Sequence, residues 1–355
     1  MFDVHIIGAG PAGCVAAISA ARAGYNVLVS EEHPATGGKP CSGLFSKSGL
    51  ETLRDYLDWK EAVEKEIYGA ELHLGNSVLT VKKRGPIAYA CNRSEFDKLL
   101  ACSAEREGVK IRYGERITKK FCANRIIGAD GVFSSVASFF GFTPLTKFVA
   151  TLQGNVNADW DKDIVKVFLS SDFKGFFGWV IPRGSGSFEI GCGIELPGNV
   201  DLAFEKLKRR IHVRDVRNVR GYVIPVRTRA ESAKRVNGRS VFLVGDAAGQ
   251  TKATTGGGVI FGAWCASIAG VSTNPFHYEF KWRAKYEREL FLHMIARRLL
   301  NRLNDDRLTA LGRELAENGF EEFLEKNGDM DIISRIIFRL ALFPKIPLIF
   351  IKNNI

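Results

Sequence analysis

The 355-residue sequence is 46% hydrophobic and 25% charged, and its formal net charge is +11. These values predict a folded protein with a sizeable core, arranged as two domains or as one large domain with an insertion, and they argue against disorder. The positive charge favours an anionic partner, such as a phosphorylated substrate or an acidic membrane surface. We expect no nucleic-acid partner, because the sequence has no run of five basic residues and no DNA- or RNA-reading motif.

The cysteine usage is typical of a reducing compartment. The seven cysteines are scattered, odd in number and never arranged as C-x-x-C, which argues against a disulfide framework or a thiolate metal site. The histidines form no cluster, so we expect no metal. The N-terminus lacks a signal-peptide pattern and no run of 18 uncharged apolar residues occurs. We therefore expect a cytoplasmic protein, either free or peripheral to a membrane.

The first predicted elements form a βαβ unit. Buried strands are expected over 2–7 and 26–30, with a helix of small residues between them that ends near residue 23. A loop rich in Gly, Pro and Ser follows over 34–49. It is long for a structural connection, which indicates a functional loop.

The middle of the chain alternates between strands and helices. Antiparallel strands are expected over 66–90, then a helix over 93–107, and buried strands over 109–113 and 125–131. From about 148 to 236 the pattern is mostly β, with a basic helix near 201–211. A buried strand over 240–244 then leads into a Gly-rich loop and a helix that begins near 258, and the chain beyond 276 is predicted to be helical.

This order predicts an α/β protein in which a nucleotide-binding fold is interrupted by a β-rich insertion. We expect a discontinuous Rossmann-like domain, a β-rich substrate domain and a helical C-terminal region. Their predicted extents are 1–65, 91–147 and 237–275 for the first, 66–90 and 148–236 for the second, and 276–355 for the third.

A G-x-G-x-x-G turn follows the first strand, with its glycines at Gly8, Gly10 and Gly13 and with Ala12 inside it. Such a turn brings the backbone close to a pyrophosphate, and the helix N-terminus supplies N–H groups and a positive dipole end. An acid at the end of the second strand can bind the ribose hydroxyls. Glu31 is the first candidate and Glu32 the alternative. The motif predicts dinucleotide binding without separating FAD from NAD.

Two later segments resemble the large FAD superfamily that includes aromatic hydroxylases and geranylgeranyl reductases. They read IIGADGVFSSV over 126–136 and VFLVGDAAGQTKATTGGG over 241–258. The resemblance implies FAD as cofactor, with Asp130 and Gly131 in the first turn and Asp246 holding the ribityl chain. It also implies that the glycine turn places N–H groups at the flavin pyrimidine edge, at Gly256, Gly257 and Gly258. The alternative is that these glycines form only a flexible loop.

Three further segments resemble the geranylgeranyl reductases in particular. KPCSGL over 39–44 is similar to their cysteine–glycine loop, the start of the 93–100 helix to their flavin-contacting R-x-x-F-D motif, and KGFFGWVIP over 174–182 to their aromatic substrate motif. The resemblance implies flavin contacts at Cys41, Ser42, Gly43 and Arg93. It implies substrate contacts at Phe176, Phe177, Trp179, Ile181 and Pro182. Lys174, Phe177 and Ile181 depart from the family's Pro, Tyr and Phe.

The family resemblance implies saturation of isolated C=C bonds in geranylgeranyl chains, most readily those of archaeal glycerophospholipids, by flavin hydride transfer. Cys41 is then the candidate catalytic residue, since a thiol can donate the accompanying proton, with a small packing residue as the alternative. The partners implied are an isoprenoid lipid and an external electron donor, which could be NADPH, a ferredoxin or a reduced deazaflavin.

Three other functions stay open at this point. The same fold serves flavin monooxygenases, although Ala137 replaces the arginine usual at that loop. A flavin electron-transfer or quinone-binding protein would leave prenyl lipids unchanged, and a nucleotide-binding partner protein would have no chemistry. The basic stretch 206–234 either binds a lipid phosphate or an anionic bilayer, or is a solvated face. The tail over 332–351 lies either at a membrane interface or against the active-site opening.

Overall fold

The N-terminal quarter folds as the βαβ unit that its glycine spacing predicts. The computed structural model describes residues 1–340, beginning with β1 (Val4–Ile7), α1 (Pro11–Arg22) and β2 (Val27–Ser30). β1 and β2 pair in parallel. The small side chains of α1 allow close packing, and every residue from 13 to 20 is buried.

The middle of the chain adds most of the strands. In order, its elements are β3 (Leu44–Ser46), α2 (Lys47–Glu51), β4 (Val63–Ile67), β5 (Gly69–Leu74), β6 (Ser77–Lys82), β7 (Ala88–Cys91), α3 (Arg93–Arg106), β8 (Lys110–Arg112), β9 (Arg125–Gly128) and α4 (Ser135–Phe139). There follow β10 (Phe148–Asn157), β11 (Ile164–Leu169), β12 (Gly178–Pro182), β13 (Ser187–Glu195), α5 (Val200–Arg210), β14 (Arg217–Pro225), β15 (Ala233–Val236) and β16 (Arg239–Leu243).

The remainder, up to residue 340, is helical as predicted. Its elements are α6 (Val259–Val271), α7 (Pro275–Trp282), α8 (Arg288–Leu300), α9 (Asp305–Glu317), α10 (Phe320–Asn327) and α11 (Ile333–Leu340), with a π-helical turn at Arg283–Glu287 between α7 and α8. No helix within residues 1–340 is long and apolar enough to span a membrane. The predicted tail 332–351 lies outside the described residues from 341 onward.

A six-stranded sheet in the order β15-β16-β9-β1-β2-β8 forms the nucleotide-binding layer. All pairings are parallel except that of β15 with β16. Val4 and Ile6 of β1 pack into the core shared with α1, α3 and α6, whereas Ile7 packs into the core on the opposite side with Val136 of α4. This alternation is the period of a strand buried on both faces, and the predicted α/β fold class is confirmed.

A seven-stranded sheet in the order β14-β10-β13-β12-β11-β5-β6 forms the second layer, and β3, β7 and β4 form a small third sheet. The antiparallel strands expected over 66–90 are present, since β5 pairs antiparallel with β6 and β4 with β7. β5 also pairs in parallel with β11, which lies outside that segment. β15 belongs to the six-stranded sheet, so the boundary drawn between 236 and 237 falls inside a hairpin.

The segment 34–49 is not a loop throughout, which corrects the sequence-based expectation. β3 pairs with β7 from Leu44 to Ser46, and α2 begins at Lys47. The Ser46 hydroxyl accepts a hydrogen bond from the Gly49 amide at 2.9 Å and so caps α2. The irregular part is shorter than predicted and ends where pairing with β7 begins.

Helices cover the seven-stranded sheet on both sides. Phe204 and Leu207 of α5 pack with Phe188 and Ile190 on one face. At the far end, α9 and α10 pack on β5 and β6 through an apolar cluster of Leu74, Leu79, Leu308, Leu311, Leu315 and Phe323. The part of the sheet face that α9 and α10 do not cover lies opposite the six-stranded sheet and borders a cavity.

Candidate active site

One cavity of about 1660 Å³ lies between the two large sheets. On one side it is lined by the loops that follow β1, β2, β9 and β16, and on the other by side chains of β5, β11 and β12. Ligands of open α/β sheets bind outside the carboxyl ends of the strands, where these loops lie. The volume exceeds the ~300–1,000 Å³ of a single small-molecule pocket, so the cavity has room for two molecules side by side.

The glycine turn lies at the end of β1 and opens into this cavity. Gly8 has a φ of +99°, and a Cβ at Gly13 would lie 1.9 Å from the Gly8 carbonyl oxygen, so only glycine fits there. A Cβ at Gly10 would meet no atom within 4 Å. Gly10 is the N-cap of α1 and has no side chain that could cap the helix. The amides of Ala12 and Gly13 in the first turn therefore remain available for an anionic ligand.

The two candidate ribose acids differ in how firmly they are held. Glu31, 8% exposed, accepts a hydrogen bond from the Ala9 amide at 2.8 Å and contacts the His33 ring at 2.7 Å. Glu32 is exposed and pairs with Arg116 at 3.4 Å. Both line the cavity. The fixed orientation of Glu31 favours it over Glu32 as the ribose ligand.

Asp130 and Gly131 also line the cavity, at the turn after β9. The Asp130 carboxylate accepts hydrogen bonds from the hydroxyl groups of Ser134 and Ser135, at 2.5 and 2.9 Å, and from the Val136 amide at 3.0 Å. The side chain therefore shapes its own turn and caps the start of α4. Gly131, with a φ of +79°, presents backbone to the cavity.

Asp246 follows β16 and makes a contact that sequence analysis missed. Lys39 Nζ donates to Asp246 Oδ2 at 2.8 Å and lies 4.1 Å from the centre of the Tyr222 ring. Burial acts to lower the Lys39 pKa, but Asp246 and Tyr222 together outweigh it, and the pKa is raised. Lys39 lies within the KPCSGL segment, which was a usable signal. Nothing in the sequence marked Tyr222.

The glycine turn before α6 has a defined backbone. The Gly256 amide donates to the Lys252 carbonyl at 2.8 Å, and the Gly262 amide donates to the Gly258 carbonyl at 2.7 Å. Gly256, Gly257 and Gly258 all line the cavity. The hydrogen bonds favour an ordered ligand-binding turn over a flexible loop.

Cys41 and Ser42 lie in the loop before β3 and line the cavity. Cys41 is half-buried, and its Sγ accepts a hydrogen bond from the Gly43 amide at 3.4 Å. Gly43 is not among the lining residues. Buried Arg93 lines the cavity next to this loop and donates three hydrogen bonds of 3.0 to 3.1 Å to Asp97. Burial acts to lower the Arg93 pKa, but Asp97 and Cys41 together outweigh it, and the pKa is raised.

The aromatic segment lines the opposite wall. Phe176 and Phe177 stack with ring centres 4.3 Å apart, and Phe177 lies 5.6 Å from Trp179. These three side chains and Ile181 line the cavity, whereas Pro182, which is buried in β12, does not. The wall is apolar and rigid, which suits an extended hydrocarbon ligand.

Comparison with known proteins gives a consistent result. A family model described as FAD dependent oxidoreductase matches residues 3–128. A digeranylgeranylglycerophospholipid reductase of Methanothermobacter thermautotrophicus is 29% identical over 88% of this chain and 91% of its own. An uncharacterised protein of Methanocaldococcus jannaschii is 28% identical over 93% and 92% of the two chains. The chain is an FAD-dependent oxidoreductase. The resemblance to geranylgeranyl reductases and the prediction of FAD are confirmed.

Solved structures agree on the fold of the oxidoreductase. A geranylgeranyl bacteriochlorophyll reductase-like protein from Thermoplasma acidophilum superposes with a TM-score of 0.82, covering 99% of this chain and 98% of its own at 21% identity. A flavin-dependent brominase superposes with a TM-score of 0.66 over 96% and 98% of the two chains at 17% identity. At these identities the likeness concerns the fold alone, so the substrate has to be argued from the cavity.

The oxidoreductase has a cation in the cavity wall that sequence analysis missed. Arg297 of α8 is 6% exposed and donates to the backbone carbonyls of Ala253, Phe176 and Thr254. All three of these partners are backbone oxygens, and burial lowers the Arg297 pKa to about 10. Arg297 thus joins the glycine turn to the aromatic wall. The helical region around it carried no motif that could have revealed this.

A second missed cluster anchors the C-terminal region of the oxidoreductase beside the same turn. The Lys252 ammonium forms a buried ion pair with Asp331, whose carboxylate also accepts from the Ser46 hydroxyl. The His293 ring contacts the Thr254 hydroxyl at 2.6 Å, and burial lowers its pKa to about 4. Through these contacts the segment around Met330 becomes part of the cavity wall.

Proposed function

We propose that the oxidoreductase saturates C=C bonds in geranylgeranyl chains, in the first place those of digeranylgeranyl glycerophospholipids. The observation that carries the proposal is the shared cavity, in which dinucleotide-binding turns face an apolar, aromatic wall. Several relatives are named as digeranylgeranylglycerophospholipid reductases, which supports the same substrate class.

The cofactor half of the cavity has groups of the right kind for each part of FAD. The uncapped start of α1 would bind the pyrophosphate, and Glu31 the adenosine ribose. Asp246, oriented by Lys39, would hold the ribityl chain, and the amides at Gly257 and Gly258 would face the pyrimidine edge. When bound and reduced, FAD supplies a hydride for the alkene.

The substrate half supplies position and exclusion of water. An isolated alkene carries no polar handle, so catalysis depends on holding the chain at a defined place. The stacked pair Phe176 and Phe177, with Trp179, presents flat rigid surfaces for this purpose. Leu72 and Leu169 extend the apolar lining along β5 and β11.

Cys41 is the proposed proton donor. Cys41 lines the cavity that the two halves share. The Gly43 amide donates to its sulfur at 3.4 Å, and Arg93 also hydrogen-bonds the Cys41 side chain. Donation of the thiol proton to the second alkene carbon completes the reduction, and the thiolate is reprotonated from solvent. Replacement of Cys41 by Ser is therefore expected to lower kcat, whereas a mere packing role would leave kcat within about twofold.

A lipid substrate also implies contact with a membrane surface, and α11 has the composition for it. Ile336 lines the cavity, while Ile337 and Phe338 are 46% and 75% exposed beside Arg335. An amphipathic basic helix of this kind lies in the interface of anionic bilayers. The stretch 206–234 is less suited, because Lys206 and Lys208 of α5 are already ion-paired and lie on the sheet face away from the cavity.

The test is anaerobic incubation of the dithionite-reduced, FAD-loaded protein with digeranylgeranylglyceryl phosphate, followed by mass spectrometry. We expect product masses that rise in steps of about 2 Da, one per saturated bond. An unchanged lipid would refute the proposal. An aerobic arm with NADPH distinguishes a monooxygenase, whose product would gain about 16 Da instead. Offering ferredoxin, NADPH or reduced deazaflavin in place of dithionite then identifies the external electron donor.

A further inference from the structure

Arg183, directly after β12, joins four separate segments around the cysteine loop. Its guanidinium donates to the Ser42 carbonyl, to the Cys91 carbonyl at 3.2 Å and to the carboxylates of Glu189 at 2.8 Å and Glu64 at 3.3 Å. Its side chain is 13% exposed. Neither Arg183 nor Glu189 lines the cavity, so their role is indirect.

Glu189 holds Arg183 from the sheet side. It is 4% exposed, and besides Arg183 it accepts hydrogen bonds from Gln153 Nε2 at 3.1 Å and from Trp179 Nε1 at 3.4 Å. A buried carboxylate with three donors has little freedom to turn. One ion pair therefore connects Trp179, in the aromatic wall, with the backbone next to Cys41.

The cysteine loop meets β7 at Gly43, where the Cys91 amide donates to the Gly43 carbonyl at 2.9 Å. Gly43 has a φ of +61° and passes so close to β7 that a Cβ there would lie 2.1 Å from the Cys91 carbonyl oxygen. Arg183 donates to that same carbonyl and to the Ser42 carbonyl, and so joins the residue next to Cys41 to β7. Loss of the guanidinium would keep Gly43 bonded to β7 but free the Ser42 carbonyl, while the Cys41 side chain would retain its contact with Arg93.

We infer that Arg183, locked by Glu189, is a positioning residue that fixes the Cys41 sulfur relative to Trp179. The link to proton donation rests on the function proposed above. The positioning itself does not, because the reactivity of the Cys41 thiol can be measured without any prenyl substrate.

The experiment compares FAD-loaded wild type with Arg183→Lys. Lysine keeps the charge and can pair with Glu189, but it lacks the fork that reaches two carbonyls at once. Iodoacetamide alkylation of each cysteine is followed by mass spectrometry, with exposed Cys122 as internal reference. Arg235→Gln, an exposed change on β15, is the control.

We expect the Cys41 alkylation rate to rise at least threefold relative to Cys122 in Arg183→Lys, and kcat to fall about tenfold with KM within twofold. Unchanged alkylation and unchanged kcat in a folded variant would overturn the inference. Should Arg183→Lys fail to fold, Glu189→Asp, which keeps both charges and withdraws the carboxylate by one methylene, is judged by the same criteria. A raised alkylation rate in a protein whose wild type reduces no prenyl lipid would support the positioning role and refute the proposed function.

Discussion

The two halves of the cavity are built in different ways. Most of the cofactor half is made of short turns that follow β1, β2, β9 and β16 within a few residues. The substrate half gathers side chains from strands and helices far apart in the chain, and Arg297 and the Phe176 carbonyl that it contacts are 121 positions apart. Local turns can be recognised from a motif, whereas a wall assembled from distant segments depends on the whole fold.

The largest effect is expected at the glycine turn, where Gly13 is needed for close packing and Gly10 for the approach of the cofactor. Gly13→Ala places a Cβ against the Gly8 carbonyl, so the variant should lose both its stability and its flavin. Gly10→Ala has open space and should unfold at the wild-type temperature, while its affinity for FAD falls at least 100-fold. Thermal unfolding and flavin fluorescence titration check both. Equal flavin affinity in Gly10→Ala and wild type would contradict the assignment of this turn.

The ion pair between Lys252 and Asp331 tests the part of the cavity wall that distant segments assemble. Lys252→Met leaves a buried carboxylate without its cation, and we expect a loss of about 3–5 kcal/mol in the free energy of unfolding. Urea denaturation measures it. Lys252→Met combined with Asp331→Leu should recover part of the loss, since no unpaired charge remains. A loss below about 1 kcal/mol in the single variant would show that the pair does not anchor the segment.

His293 makes a related prediction on pH. Its pKa is lowered to about 4 in the folded protein by burial, against 6.5 as the ordinary value, so the unfolded chain binds more protons between these values. The free energy of unfolding is therefore unaffected by His293 above about pH 6.5 and decreases as the pH falls toward 4. On the order of 1–3 kcal/mol should disappear over this range. His293→Gln should flatten that part of the curve, whereas the control His277→Gln, at an exposed position, should not.

The smallest expected effect is on kcat/KM at Phe177, where the aromatic segment has Phe in place of the family's Tyr. Phe177→Tyr keeps the ring stacked on Phe176 and should leave kcat/KM for the prenyl lipid within about twofold. Phe177→Ala removes the stack and should lower kcat/KM about tenfold, or about 1.4 kcal/mol. Steady-state kinetics compare the two. A large effect of the added hydroxyl would indicate that position 177 sets specificity by polarity and not by shape.

Sequence patterns predicted the cofactor half more completely than the substrate half. The strand–glycine turn–helix order and the two Asp–Gly segments identified FAD, and the structure brings all three to one cavity. The roles of individual residues stay predictions. Asp130 lines the cavity while its carboxylate also bonds within its own turn, and Pro182 lies behind the wall and not in it. Which way a side chain points is what a motif leaves open.

By itself, the sequence determined the fold class and a dinucleotide site, because glycine spacing and strand periodicity reflect contacts between residues close in the chain, and the resemblance of two later segments to a flavoprotein superfamily implied FAD. Only the tertiary structure decided which charges are paired: Lys39 with Asp246, Lys252 with Asp331 and Arg183 with Glu189. The physical reason is that a buried charge needs a partner within a few ångströms, and the distance along the chain places no limit on which residue supplies it.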